Sequence, residues 1–80
     1  MKLYLLTQNQ RKGYDKYDSC VVCAKSEDDA KSIDPRGLIF TENEEEPYWA
    51  YTKDGIEVEE IGEAHPSQKR GVICASFNAG

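Results

Sequence analysis

Cysteine has the widest chemical scope of any residue type in this chain, and two of its three copies are spaced as Cys20-Val21-Val22-Cys23. A C-x-x-C pair holds zinc when both thiolates lie on one side of a turn, and exchanges disulfides when it caps a helix. Here the pair falls within a β-branched run, where residues three apart project to opposite faces of a strand. Cys74 and the only histidine, His65, would nominally complete a four-ligand set, but neither spacing nor context supports it. The cysteines are read as small buried hydrophobes, and no metal or cofactor is expected.

The remaining candidates for catalysis are equally thin. His65 sits beside Pro66 in a polar stretch, with no marked nucleophile or orienting partner for general-base work. The adjacent carboxylates Glu59 and Glu60 suit an acidic strand edge that discourages edge-to-edge association. There is no glycine-rich phosphate loop, no G-x-S-x-G turn and no basic patch interleaved with aromatics. A chain of 80 residues has little room for both a core and a buried cleft, so no catalytic residue is assigned and no enzyme is expected.

Two segments carry side chains suited to binding. The first runs from Glu42 to Tyr51, where Glu42, Glu44, Glu45 and Glu46 adjoin Tyr48, Trp49 and Tyr51. Tyr and Trp are favoured interface anchors, although a lone Trp also suits a core lid. The second is the polar segment from Gln8 to Asp18, whose Asn9, Arg11, Tyr14, Asp15, Tyr17 and Asp18 mix amides, charges of both signs and aromatic rings. Such a loop suits a small ligand, whereas the plain structural alternative packs the tyrosines on a sheet edge and lets the aspartates cap turns.

Charge narrows the choice of partner. Of the formal net charge of −5, nine carboxylates fall between Glu42 and Glu63 against the single cation Lys53. A nucleic-acid backbone is repelled by that field, while a basic protein surface is attracted. A solvated acidic face is the plainer account of the same residues.

The elements that must position these residues follow from periodicity. Leu3–Thr7 and Ser19–Ala24 read as strands; the second is apolar on both faces and is expected in the middle of a sheet. Ser26-Glu27-Asp28-Asp29 is a helix start with a variant capping box, Ala30 and Ile33 share the inward face, and Asp34-Pro35 ends the helix after about two turns. Leu38-Ile39-Phe40 is either a strand or a docked segment, and Tyr48–Tyr51 suggests one helical turn. Asp54-Gly55 signals a turn, and Ile56–Ile61 is a strand whose alternation slips at Glu60-Ile61, as a bulge would make it. Val72–Phe77 is apolar on both faces and reads as a second central strand.

The expected fold is a single α+β domain over residues 1–80, a small antiparallel four-stranded sheet with one short helix on one face, in the order β-β-α-β-β. Apolar residues at 39% and charged ones at 31% place it among folded rather than disordered chains. The opening apolar run is too short for a signal peptide, and no stretch approaches the roughly 20 apolar residues that cross a bilayer. With an odd number of cysteines as well, a cytoplasmic setting without membrane contact is expected.

Met1-Lys2-Leu3-Tyr4-Leu5-Leu6-Thr7-Gln8-Asn9, then Gly13-Tyr14-Asp15 and Tyr17-Asp18-Ser19, and the ending Ala75-Ser76-Phe77-Asn78-Ala79-Gly80 carry a resemblance. The chain resembles a family of small uncharacterised proteins encoded by bacteriophages and prophages, at both ends more than in the middle. That likeness implies a setting, the cytoplasm of an infected bacterium, and no catalytic residue. The expectation is an accessory protein that binds a host protein, such as a defence or replication factor, through its acidic–aromatic segment. The rival expectation is a small-ligand module built on the polar loop, at a seam between two copies.

Overall fold

Four segments alternate apolar and polar residues or run apolar throughout, and these become the strands of the computed structural model, which describes residues 1–11 and 13–78. The polar loop's Lys12 and the tail's Ala79 and Gly80 lie outside the described residues. The strands are β1 (Lys2–Gln8), β2 (Lys16–Ala24), β3 (Ile56–Glu63) and β4 (Gly71–Asn78), with one α-helix, α1 (Glu27–Lys31), and a 3₁₀ turn at Lys53–Gly55. They form one four-stranded antiparallel sheet in the order β3-β1-β2-β4, with the short helix of a small α+β fold. No helix among the described residues is long and apolar enough to cross a membrane.

Register follows from which face each residue must occupy. On one face Tyr4 lies opposite Val22, and Leu6 lies between Cys20 and Val58. Over this face pack Ala30, Ile33, Phe40, Trp49 and Ala50 to complete the core. Leu3, Leu5, Thr7, Ser19, Val21 and Cys23 point the other way, and the buried cluster includes none of them. The chain from α1 to residue 56 thus covers this side of the sheet, while on the other side Cys23 is buried next to Met1.

Bulges correct the pattern where strict alternation would bury the wrong residue. Ile61 is an extra residue in β3 between the pairs Leu3–Gly62 and Tyr4–Glu60, at the point where the sequence alternation slips. Asp18 is extra in β2, which returns Tyr17 to the core side opposite Phe77. That bulge also carries β2 back to Lys16, three residues before the expected start.

The helix begins as its sequence requires. Ser26 is the N-cap, its hydroxyl accepting from the Asp29 N–H at 3.1 Å. The Asp29 carboxylate reaches back to the Lys25 N–H at 2.9 Å, one residue beyond the usual capping-box target. Ala30 and Ile33 are buried as expected. The helix ends at Lys31, short of Asp34-Pro35, because Ser32 Oγ donates to the Asp29 carbonyl at 2.6 Å and Ile33 turns out to bridge Ile39.

Two expectations are corrected. β4 is an edge strand, not a central one: β3 returns to pair with β1, so β4 has β2 on one side only. Its Ile73 and Phe77 are each 42% exposed, so apolarity on both faces here does not report burial on both. Tyr48–Tyr51 forms bends rather than a helical turn, because Pro47, Trp49 and Ala50 go inward while Tyr48 and Tyr51 stay outside. Leu38-Ile39-Phe40 is a docked segment held by the single bridge from Ile39 to Ile33, with Phe40 alone of the three buried.

Candidate functional site

At the end of β1, Gln8 points into the core face and is 7% exposed, so every polar atom of its amide needs a partner. Its Oε1 accepts from the N–H groups of Gln10 (2.9 Å) and Arg11 (2.7 Å), while Nε2 donates to the carbonyls of Tyr17 (3.1 Å) and Arg11. One side chain thus closes the β1–β2 loop on itself. Within it Asp15 takes the left-handed conformation (φ 61°), which a short polar side chain tolerates. Asn78 at the end of β4 fastens the loop tip by donating from Nδ2 to the Gly13 carbonyl at 2.8 Å.

Gln10 and Arg11 then join this loop to the aromatic segment. Gln10 Oε1 accepts from the N–H groups of Tyr51 (2.9 Å) and Thr52 (3.1 Å), and its Nε2 donates to Thr52 Oγ1 at 3.0 Å. Arg11 lies 4.8 Å from the centre of the Tyr51 ring and donates to the Tyr51 hydroxyl. A Cβ at residue 55 would run into the Gln10 side chain, so glycine there lets Gln10 keep these bonds without shifting. At the other end of the loop the Tyr17 N–H donates to the Tyr48 carbonyl at 2.7 Å. The two segments that the sequence presents separately therefore form one end of the molecule.

The acidic–aromatic segment is only partly available to a partner. Trp49 is fully buried and cannot anchor one, which removes it from the expected binding residues; it serves as the lid of the core, and its Nε1 has no hydrogen-bond partner among the described residues. Tyr48 (44% exposed) and Tyr51 (38%) remain outside. Glu42 accepts from the Lys53 N–H at 3.0 Å, and Glu44 lies 3.8 Å from Arg36, so both are engaged. Glu45 and Glu46 are exposed, with Glu46 in the left-handed region at φ 49°, which is costly for a side chain without local hydrogen bonding to the backbone.

Arg36 organises the neighbouring surface. It pairs with the buried carboxylate of Asp34 through Nε (3.0 Å) and Nη2 (3.1 Å) and lies 5.4 Å from the centre of the Tyr48 ring. The Asp34 hydrogen bonds and charge hold the guanidinium above its ordinary pKa. The Phe77 ring lies 6.4 Å from that of Tyr48 and 4.8 Å from that of Tyr17. Tyr48 and Phe77 form an exposed aromatic pair that sequence reasoning missed, because they are 29 positions apart and meet only through β2–β4 pairing.

Under the polar loop lies an open cavity of about 260 Å³, lined by Gln8, Arg11, Gly13, Lys16, Asp18 and Asn78. Of the expected ligand residues, Arg11 and Asp18 line it. Asn9 uses its N–H on the Gly55 carbonyl, Tyr14 projects into solvent (69% exposed), Asp15 shapes the turn, and Tyr17 is half-buried against Phe77. Lys16 and Asn78 enter the lining through strand pairing, which spacing alone does not reveal.

Cys20 and Cys23 project to opposite faces of the sheet, as period-two spacing demands. Burial pushes the Cys20 thiol up to about 12, far from a reactive thiolate. Cys23 is buried on the other face with its Sγ 4.0 Å from Met1 Sδ, and Cys74 is exposed. His65 Nδ1 accepts from the Ser67 N–H at 3.1 Å and lies 2.7 Å from Ser67 Oγ, an arrangement that closes its own turn. Among the described residues no group of three or more His, Cys, Asp or Glu side chains is placed to hold a metal ion.

Comparison with protein-family models, with curated proteins and with solved structures finds no match to this chain.

Proposed function

We propose that this protein is a non-enzymatic accessory factor that binds a basic surface on a protein partner through the face around Tyr48. The observation that carries the reading is the pairing of Tyr48 and Phe77, two adjacent rings left 44% and 42% exposed in a chain that fully buries its only tryptophan. Just before Tyr48 in the chain, Glu45 and Glu46 are exposed and make no ion pair among the described residues, while Arg36 over the Tyr48 ring is already taken up by Asp34 and Glu44. An aromatic centre with charged surroundings is the pattern in which a few residues dominate affinity and charge sets the rate of encounter. The phage-family resemblance supplies the setting for this reading, a host protein of the infected bacterium such as a defence or replication factor.

Affinity capture from bacterial lysate tests it with three baits: wild type, Glu45→Lys/Glu46→Lys, and Tyr48→Ser. A partner retained by wild type, weakened by salt and lost by both variants is the expected result. A set of captured proteins identical for all three baits overturns it.

A second reading, a small-ligand module, rests on the cavity bounded by Arg11, Lys16 and Asp18. Thermal-shift screening against metabolites and nucleotides separates the two, because a ligand bound only to the folded state must raise the melting temperature.

A further inference from the structure

The cavity under the β1–β2 loop reverses the sign of the chain around it. The protein as a whole has 15 carboxylate residues against 10 cationic ones. Among the residues lining the cavity, two cations, Arg11 and Lys16, stand against one carboxylate, Asp18. The fold brings them there: Lys16 pairs with Asn78 across β2 and β4, and Asp18 is the extra residue of the β2 bulge, a device that re-aims a side chain. The Gln8 amide ties the loop from within and Asn78 Nδ2 pins the Gly13 carbonyl, so the walls are set without help from a ligand.

The polar groups of this lining have bonding capacity left over. Arg11 spends Nη1 on the Tyr51 hydroxyl, and its remaining guanidinium donors have no hydrogen-bond partner among the described residues. Lys16 Nζ makes only a 3.5 Å contact with the Asp15 carbonyl. Among the described residues the Asp18 carboxylate makes no ion pair, and Asn78 Oδ1 accepts no hydrogen bond. No lining residue is of a hydrophobic type, so an apolar ligand would gain little there.

We propose that this cavity binds a free acidic amino acid, glutamate or aspartate, an inference that rests on the small-ligand reading above and names its ligand class. At neutral pH such a molecule carries two carboxylates and one ammonium, the charge complement of Arg11, Lys16 and Asp18. The planar fork of Arg11 suits one carboxylate and the point charge of Lys16 the other, while the ammonium donates to the Asp18 carboxylate and Asn78 Oδ1. A dicarboxylate without the ammonium sets its charge against Asp18, and a neutral amino acid leaves one cation unmatched. The volume of about 260 Å³ lies below the roughly 300–1,000 Å³ of sites for drug-sized ligands, as a smaller molecule requires. Because the site is open to solvent, its ion pairs are screened and the dissociation constant is on the order of 1 mM.

Amide NMR titration of the full chain with sodium L-glutamate at pH 7, against sodium chloride of matched ionic strength, is the test. Saturable shifts are expected at Gln8, Arg11, Gly13, Lys16, Asp18 and Asn78, with glutarate, the same dicarboxylate without the amine, binding at least ~3-fold more weakly. Asp18→Asn, checked for an unchanged spectrum elsewhere, should abolish the preference for glutamate over glutarate, and Lys16→Gln should weaken both. Shifts no larger than those from chloride up to ~10 mM glutamate, glutarate binding as well as glutamate to wild type, or a preference that survives Asp18→Asn each overturns the proposal. A different metabolite that raises the melting temperature would then leave the small-ligand reading standing with another ligand class, whereas a screen without any hit removes both.

Discussion

Replacing Arg36 with methionine keeps most of the side-chain stem and removes the charge that faces Asp34, and the cost can be worked from the geometry. The Asp34 side chain is 5% exposed and accepts three hydrogen bonds from one residue: the Arg36 N–H at 2.8 Å, Nε at 3.0 Å and Nη2 at 3.1 Å. Removing one partner of a fully buried ion pair costs about 3–5 kcal/mol, because the other charge is left desolvated. Here the Arg36 side chain is 30% exposed and Asp34 keeps its backbone donor, which lowers the cost to about 2 kcal/mol. Loss of the contact with the Tyr48 ring adds about 0.5 kcal/mol, and the exposed Glu44 contact adds little. The total, about 2.5 kcal/mol, is a large share of the roughly 4–12 kcal/mol that a domain of this length commands. Urea unfolding followed by the fluorescence of the buried Trp49 is the assay, and the midpoint should fall by about 1–2 M at unchanged slope. The double variant Asp34→Asn/Arg36→Met should recover part of the loss, with a coupling energy of about 1 kcal/mol. A midpoint within about 0.3 M of wild type would refute the reasoning, since Asp34 would then be hydrated or paired elsewhere.

Two further outcomes follow from individual groups. Arg70 hydrogen bonds hold the Asp29 carboxyl below its ordinary value of 3.8, with the Lys25 N–H assisting. A depressed folded-state pKa gives stability that is fully present above that ordinary value and lost as pH falls through the folded one, so urea midpoints measured downward from pH 7 should drop in acid and Asp29→Asn should flatten the drop; an equally steep loss in the variant would count against the Asp29–Arg70 pair. Of the three thiols, only the exposed Cys74 should react quickly with a thiol reagent at mildly alkaline pH, with Cys20 and Cys23 appearing after urea is added; three fast thiols in the folded protein would contradict the burial described above.

Sequence periodicity located the strands because each must present one apolar row to a common core, and that row recurs every second residue whatever the rest of the chain does. The same arithmetic separated Cys20 from Cys23 and flagged the slip at Ile61. Ser26 was legible as a cap because only a few residue types can accept from the first turn's N–H groups. What escaped reading depends on contacts distant in the chain. Gln8 and Gln10 look like ordinary polar loop residues until the amide of the first is found holding backbone 2–9 positions away and that of the second backbone 41 and 42 positions away. Asp34 reads as a helix stop before proline, and its burial against Arg36 depends on the turn that follows. Trp49 could have been lid or anchor, and only the course of residues 47–51 across the helix-bearing face decides for the lid.

The β4 misreading is the most instructive, because it turns on what two-sided apolarity means in a short chain. In a larger protein a strand that is apolar on both faces is central, since cover exists for both. Here α1 and the 33–55 segment cover one face, and no element among the described residues lies over the face of Leu3, Leu5 and Val21. A strand can then be apolar on both faces only if something outside the chain relieves the exposure or if the exposure is tolerated. Tolerance is the rule for scattered surface residues and is less common for a whole uncharged edge. The chain itself draws the distinction: the outer strand beside its acidic segment carries a glutamate at four of eight positions, while the other carries none.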